Sequence, residues 1–333
     1  MILPRTFLIQ LSFAVLNGCA NSSLFNPYPY QALAFKQAVS AGGTQGNQNL
    51  NEVLTELNEE RDSADAMLYL MERGRINQIN NAYADSQADF EQVIAGFERQ
   101  DLVATITLDE TSSQGVSLLT NDNAIPYKGA GYERIFTHHH QAFNYLAQKD
   151  LEGAAVEFRK VALEQRILLE KHEAEILEAY KEAETHNIDI QTLSREFVGL
   201  DTVAGKVKNS FQNAYTFYVS AAFWESMGEL NAAWVDYKKA FEIYPDNHYI
   251  KQDIARLAKK LGENPEQQNF NEAKEGQGSV VVFFEDGFVP VKNEIKVPIP
   301  TFDGGWIFLA FPFYDTNLWP ASTSLRVQDE NFK

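Results

Sequence analysis

The chain is poor in cysteine and in basic residues. Cys19 is its only cysteine among 333 residues, so no disulfide can form within the chain and packing must stabilise the fold. Lys and Arg number 28 against 46 Asp and Glu, which gives a formal net charge of −18. Binding to nucleic acid, or to anionic lipid through a polybasic patch, needs clustered positive charge, so we expect neither. Beyond the N-terminus, no run of about 20 apolar residues is available to span a bilayer.

The sequence also lacks the common catalytic motifs. It contains no P-loop, no G-x-S-x-G element and no H-E-x-x-H helix. His138-His139-His140 are three consecutive histidines, a residue type that often binds metal ions. Consecutive residues on a helix point about 100° apart, however, and do not converge on one ion. We expect one or two of these histidines to face a groove and the others to face solvent. No metal, no cofactor and no catalytic residue is predicted, and the chain is predicted not to be an enzyme.

The single cysteine lies where a bacterial lipoprotein signal would place it. Residues 6–16 are mostly apolar and too few to cross a bilayer, and Leu16-Asn17-Gly18-Cys19 resembles the lipobox. The pattern predicts a signal peptide over residues 1–18 and a lipidated N-terminus at Cys19, which anchors the protein to a membrane. An ordinary secretory signal, or a buried N-terminal helix with an incidental cysteine, is the alternative. Ala20 follows the cysteine, and by resemblance to Gram-negative lipoproteins this favours the outer membrane, facing the periplasm.

A tetratricopeptide-like helical hairpin is predicted over residues 217–245. Its diagnostic positions are Phe217, Ala221, Trp224, Gly228, Ala233, Tyr237, Ala240 and Pro245. The alanines allow two helices to cross closely, and the aromatic residues fill the space between neighbouring hairpins. Gly228 suits a left-handed end to the first helix, and Pro245 terminates the second. Ser220 departs from the pattern, because leucine is usual at that position.

Two weaker copies precede this hairpin. One has Ala142, Tyr145, Ala154, Phe158 and Val161 at the same offsets, with its turn at Lys149-Asp150. A third possible hairpin runs from Ala64 to about Phe97 and is predicted to turn at Gly74. Residues 163–186 are predicted to extend the second helix of the middle hairpin. Residues 246–261 are predicted to form a further amphipathic helix that covers the last repeat.

The predicted organisation is mainly α, with a small β region that makes the chain α+β overall. The domains are residues 1–18 as signal peptide, 19–50 as flexible tether, 51–262 as repeat domain, 263–278 as linker and 279–333 as β region. Residues 111–128 are predicted to be a loop. Strands are predicted over 279–284, 288–291, 293–299 and 306–311, because these segments are rich in β-branched and aromatic residues. A turn is predicted at Glu285-Asp286-Gly287, between the first two strands. No clear closing element ends the β region, so whether it is complete stays open.

Several short segments carry a resemblance to a known family. They are Leu118-Leu119-Thr120-Asn121-Asp122, Pro126-Tyr127-Lys128-Gly129, Tyr132-Glu133-Arg134, Asn144-Tyr145-Leu146, Ala155-Val156-Glu157-Phe158-Arg159, Phe284-Glu285-Asp286-Gly287 and Pro290-Val291-Lys292. In these segments and their order, the chain resembles an uncharacterised family of Gram-negative lipoproteins with tetratricopeptide-like repeats. The resemblance implies an envelope protein made of helical repeats and a C-terminal β part. It implies no reaction and no substrate.

The first helix of each hairpin in such an array lines a groove, and this predicts a partner-binding surface. Its residues are Phe136, His139, Phe143 and Leu146 in the middle repeat, and Tyr215, Tyr218, Ala222 and Glu225 in the last. An aromatic groove suits a peptide or an amphipathic helix. The alternative is that these aromatic residues pack against the N-terminal hairpin or the C-terminal β part.

The functional hypothesis is a lipid-anchored scaffold or adaptor. It binds another periplasmic or outer-membrane protein through its repeats. Analogy with other repeat-bearing lipoproteins suggests a regulator of cell-wall synthesis. The hypothesis from another class is a carrier or enzyme for an envelope glycan or lipid that uses the β region. The sequence leaves the oligomeric state open.

Overall fold

The computed structural model describes residues 28–41, 43–59, 65–107, 127–185, 212–263, 280–283, 285, 292–300 and 306–314. Nine helices lie within these ranges: α1 Tyr28–Ala41, α2 Gly43–Glu59, α3 Ala66–Ile79, α4 Tyr83–Thr107, α5 Gly131–Ala147, α6 Leu151–Thr185, α7 Ala214–Ser226, α8 Leu230–Ile243 and α9 His248–Leu261. Two antiparallel strands, β1 Lys292–Pro300 and β2 Trp306–Tyr314, pair with Lys296 opposite Ala310.

The helices pack as consecutive hairpins. The pairs are α1 with α2, α3 with α4, α5 with α6 and α7 with α8, and neighbouring hairpins pack on one another through α2 and α3, α4 and α5, and α6 and α7. Helix α9 packs against α8 and covers the end of the array with buried Ile250 and Leu257. This arrangement confirms the predicted tetratricopeptide-like helical hairpins within the described residues.

The last hairpin shows why its residue types are needed. Ala221 and Ala233 are fully buried where α7 and α8 cross. Gly228 has φ of +79°, in the left-handed region that glycine adopts without strain, and it ends α7 as predicted. The unusual Ser220 has a polar partner, because its hydroxyl donates to a carboxylate oxygen of Asp236 at 2.7 Å. Both side chains are buried, so the hydrogen bond replaces the apolar contact that leucine would make.

The turn predicted at Gly74 is wrong. Gly74 lies in the middle of α3, and the chain turns instead at Asn80 and Asn81, where Asn81 has φ of +61°. A Cβ at Gly74 would lie 2.9 Å from Cε1 of Phe90 on α4. The glycine therefore serves close packing of two helices rather than a change of direction.

The predicted flexible tether over residues 19–50 is also corrected. Most of its second half is helical, in α1 and the first part of α2. Phe35 of α1 and Leu50 of α2 are buried in a cluster that also holds Tyr69 and Ile76 of α3. Burial of apolar surface against α3 stabilises these helices, so the described part of the helical array begins at Tyr28.

The predicted strand over 279–284 is not a strand where it is described. Residues 280–283 belong to neither a helix nor a strand, and no described strand pairs with them. The strands predicted over 293–299 and 306–311 fall within β1 and β2, and the segment 288–291 lies outside the described residues. The signal peptide, Cys19, residues 111–126 of the predicted loop and residues 264–278 of the predicted linker lie outside the described residues.

Helix α6 extends far beyond a single hairpin, as predicted from its Glu, Lys, Leu and Ala content. It has 35 residues, and its outer surface is charged, with Arg166 and Glu170 exposed one turn apart. None of the helices in the described ranges combines the length and the apolar character that crossing a membrane requires.

A buried charge network joins α3 to α4. Nε of Arg73 donates to Asp89 at 2.9 Å, a second Arg73 nitrogen contacts the other oxygen of the same carboxylate, and Nδ2 of Asn77 donates to it at 3.0 Å. The Arg73 guanidinium also contacts Asn58 of α2. The Asp89 side chain is only 1% exposed, so its charge depends on these donors.

Candidate functional site

The first helices of three hairpins, α3, α5 and α7, are neighbours. Their facing side chains form a surface that we call the aromatic groove, defined by Phe136, His139, Phe143, Tyr215 and Tyr218. All five belong to the predicted partner-binding set, and the structure brings them together on α5 and α7. The tetratricopeptide spacing of the sequence accounts for this placement, since it assigns both helices to the first half of their hairpins.

His139 lies at the base of the groove. Its ring is 4.9 Å from that of Phe143 and 5.1 Å from that of Tyr215, measured between centroids, and both contacts are edge-on. The side chain is fully buried, and neither ring nitrogen has a hydrogen-bond partner among the described residues. Burial lowers the pKa of His139 to about 3, and the nearby charge of Arg75 acts in the same direction. The imidazole is therefore neutral at physiological pH.

The three consecutive histidines point to different surroundings. His138 lies 2.6 Å from the Glu157 carboxylate on α6, His139 enters the groove, and His140 stacks between Phe90 and Phe136. None of the three is exposed, so the expectation that some face solvent is wrong. The reason is that α5 packs against α3, α4, α6 and α7 at once. The part of the chain that the structure describes contains no cluster of side chains suited to a metal ion.

Two of the chain's own residues, Phe283 and Glu285, occupy the groove. The ring of Phe283 lies 6.0 Å from that of Tyr215, 6.3 Å from that of Tyr218 and 6.5 Å from that of Phe143. All three contacts are edge-on, the favourable arrangement for aromatic pairs. Two residues further along, the Glu285 carboxylate pairs with the Arg75 guanidinium of α3. Packing against the C-terminal part, one of the two alternatives for these aromatic residues, is therefore what the structure shows.

Several buried polar atoms of α5 and α7 have no hydrogen-bond partner among the described residues. They are both ring nitrogens of His139, Nδ1 of His140 and the hydroxyl of Tyr215, and none has a hydrogen-bond partner within the described ranges. Burial raises the pKa of Tyr215 to about 12, and the charge of Glu285 contributes to the shift. A buried polar atom without a partner costs about 1–3 kcal/mol, so the groove holds hydrogen-bonding capacity that the described residues do not use.

The far end of the groove is occupied by charged pairs with α9. Glu225, which also belongs to the predicted partner-binding set, accepts hydrogen bonds from Arg256 and from Lys260. The hydrogen bond from Arg256 is the main cause that lowers the pKa of Glu225. The hydroxyl of Tyr218 donates to Asp253 at 2.6 Å. Glu225 therefore has partners within the fold and lies apart from the contacts that hold Phe283.

Sequence analysis missed three residues of the site: Arg75, Phe283 and Glu285. Arg75 followed a glycine that was predicted to be a turn, although it lies on the first helix of its hairpin. The β-branched residues beside Phe283 predict a strand, and Glu285 belongs to the turn predicted at Glu285-Asp286-Gly287. The pair of Arg75 with Glu285 joins residues 210 positions apart, a separation that no local pattern reports.

A second depression lies between the last two hairpins, on α6, α7 and α8. Its lining includes Phe158, Arg159, Trp224 and Asp236. The Arg159 guanidinium lies 4.9 Å above the Trp224 ring, and Asp236 is already held by Ser220. The depression is a gap in the packing between two repeats. Among the residues that the structure describes, the Asp236 carboxylate in it does not face a second group that could act with it as a catalytic acid and base pair.

Comparisons with known proteins give distant similarities only. No model of a protein family matches the chain, and no curated protein matches it. Two crystal structures of MamA have TM-scores of 0.34 and 0.33, each at 10% identity, and cover 70% and 65% of this chain and 82% and 81% of their own. The TPR2AB domain of yeast Sti1 in complex with pHSP90 has a TM-score of 0.25 at 13% identity, covering 69% of this chain and 84% of its own. TM-scores and identities this low carry no conclusion about a partner or a binding surface, so both are argued from the chain's own residues.

Proposed function

We propose that the protein is a non-enzymatic scaffold or adaptor that binds another protein through the aromatic groove. The observation that carries this proposal is the seating of one phenylalanine, Phe283, among three rings on α5 and α7. Aromatic side chains in a groove between helices bury a large area at little entropic cost, which suits recognition of a short peptide.

The proposed setting is the bacterial cell envelope. The lipobox-like sequence at Leu16-Asn17-Gly18-Cys19 supports a lipid anchor at Cys19 in the outer membrane, with the body facing the periplasm. The chain after Cys19 is acidic and contains no cysteine, so it neither forms disulfides nor attaches to lipid through a polybasic patch. Regulation of cell-wall synthesis is the proposed subclass, supported by analogy alone. A small β region after residue 285, around β1 and β2, is also part of the proposal.

Crosslinking inside the cell tests the scaffold. A photoreactive amino acid in place of Phe143 or Tyr218 is expected to yield discrete protein adducts, several-fold more intense when Phe283→Ala has emptied the groove. The matched control is the same amino acid at Val235, which is 46% exposed on α8, outside the groove. Adducts that are no stronger at the two groove positions than at Val235 would contradict the proposal.

The anchor is tested separately. Cys19→Ser is expected to move the protein out of the membrane fraction, or to leave it at the mass of the unprocessed precursor, because serine cannot be lipidated through a thioether. Ser23→Ala, four residues away, is the control and should leave the fractionation unchanged. Normal maturation of Cys19→Ser with unchanged outer-membrane fractionation would rule out the lipid anchor.

A further inference from the structure

We infer that the aromatic groove recognises an extended peptide in which an aromatic residue stands two positions before an acidic residue. The chain's own copy of this motif is Phe283 with Glu285, and these two residues fill the groove until a partner carrying the same motif displaces them. This inference rests on the proposed function and adds the chemistry of the partner.

The aromatic half of the motif follows from Phe283. The three valines before it, Val280, Val281 and Val282, are 88%, 43% and 53% exposed, whereas Phe283 is partly buried against the last hairpin's core. Of the described residues in this segment, Phe283 therefore makes the apolar contact with the groove. A single aromatic anchor in a pocket is the usual source of affinity in peptide recognition.

The acidic half of the motif follows from Arg75. Its guanidinium pairs with Glu285, and both side chains are partly exposed, at 31% and 46%. An ion pair with this exposure adds little affinity, but it selects for charge and sets the spacing from the aromatic anchor. In an extended peptide, residues two positions apart point to the same side, so one peptide can satisfy both contacts.

The internal segment is an incomplete ligand. Its Phe283 contacts the ring of Tyr215, and the Tyr215 hydroxyl has no hydrogen-bond partner among the described residues. A partner peptide with a polar group beside its aromatic residue can bond this hydroxyl and gain affinity over the internal copy. Residues 280–283 pair with no described strand, so their departure breaks the contacts of Phe283 and Glu285 and leaves the helices intact.

A labelled peptide tests this inference. The probe is Val-Val-Val-Phe-Phe-Glu-Asp, the sequence of residues 280–286, and its binding to the purified full chain is measured by fluorescence anisotropy. We expect Phe283→Ala with Glu285→Ala to bind it at least about tenfold more tightly than the unchanged chain, because the internal copy no longer competes. Val282→Ala, next to the anchor, is the matched control and should bind like the unchanged chain.

Peptide variants separate the two halves of the motif. We call the variant with both Phe283→Ala and Glu285→Ala the opened chain. Replacing the first phenylalanine of the peptide, which corresponds to Phe283, by alanine is expected to weaken binding to the opened chain by about tenfold or more. Glutamine for the glutamate is expected to weaken it by about two- to fivefold, and Arg75→Gln should abolish that difference between the two peptides. A peptide with Phe-x-Glu between glycine and serine flanks should still bind.

Three results would overturn the inference. Equal binding to the opened and unchanged chains would show that Phe283 does not compete for the site. No binding to the opened chain, while Phe143 and Tyr218 still crosslink to a protein, would reject the motif and leave the scaffold standing. A dimer that Phe283→Ala dissociates in size-exclusion chromatography would make the occupant a second copy of the chain. Circular dichroism of each variant verifies that the helices remain folded.

Discussion

Replacing Arg73 by methionine is expected to lower the free energy of unfolding by about 3–5 kcal/mol. The Asp89 carboxylate is 1% exposed and receives its charge-assisted hydrogen bonds from this guanidinium. Methionine keeps most of the side-chain volume but removes the donors, so a negative charge stays buried with Asn77 as its remaining described donor. Urea denaturation followed by circular dichroism measures the loss.

Two further variants identify the cause of that loss. Asp89→Asn combined with Arg73→Met removes the uncompensated charge and is expected to be more stable than Arg73→Met alone. Arg166→Met is the matched control, because Arg166 pairs with Glu170 at 3.8 Å on the exposed surface of α6. Its effect should stay below about 1 kcal/mol, the usual limit for exposed ion pairs. Similar losses for Arg73→Met and Arg166→Met would contradict a structural role for the buried network.

Lowering the pH from 7.5 to 5 is expected to remove about 2 kcal/mol of stability through His139. Its pKa is about 3 in the folded chain, against about 6.5 for an exposed histidine. As the pH falls below 6.5 the unfolded chain binds a proton that the folded chain does not, so stability decreases by about 1.4 kcal/mol per pH unit. Burial also lowers the pKa of His140, which acts in the same direction.

Substitution of His139 isolates this contribution. The groups that face it are uncharged rings, His140 and the more distant pair of Arg75 with Glu285. His139→Phe keeps an aromatic ring in the cluster and is expected to remove about 2 kcal/mol of the loss between pH 7.5 and 5 in urea denaturation, which leaves the contribution of His140. His248→Gln, at an exposed position on α9, should retain the wild-type slope. An unchanged slope in His139→Phe would show that His139 is not the residue that titrates.

The helical hairpins could be predicted because the residues that determine each hairpin lie close together in the sequence. Small residues at the crossing of α7 and α8, a glycine at +79° and a proline after α8 all lie within 30 or so residues of one another. Gly74 shows where the same approach fails. Glycine serves both turns and close helix contacts, and the deciding neighbour, Phe90, belongs to the next helix. The partner helix must be known before the role of such a glycine can be assigned.

The site could be predicted only in part, for the same physical reason. Phe136, His139, Phe143, Tyr215 and Tyr218 share the groove because repeat spacing determines which helix face each occupies. Their occupant comes from a distant segment whose valines also suit a strand. The helices α1 and α2 were missed because Asn, Gln and Gly around residues 43–51 mask the apolar spacing of Leu50, Val53 and Leu57.

Phe283 and Glu285 belong to the same chain as the groove that they fill, and this sets a threshold for any partner. Only 16 residues, 264–279, separate Val280 from the end of the described α9 region at Glu263. Through a connection of this length, Phe283 and Glu285 are present at the groove at an effective concentration on the order of millimolar, and dilution of the protein does not reduce it. A free peptide of equal intrinsic affinity must approach that concentration to enter. We therefore expect the groove to bind only partners that are concentrated beside it, or that bind much more strongly than its own segment.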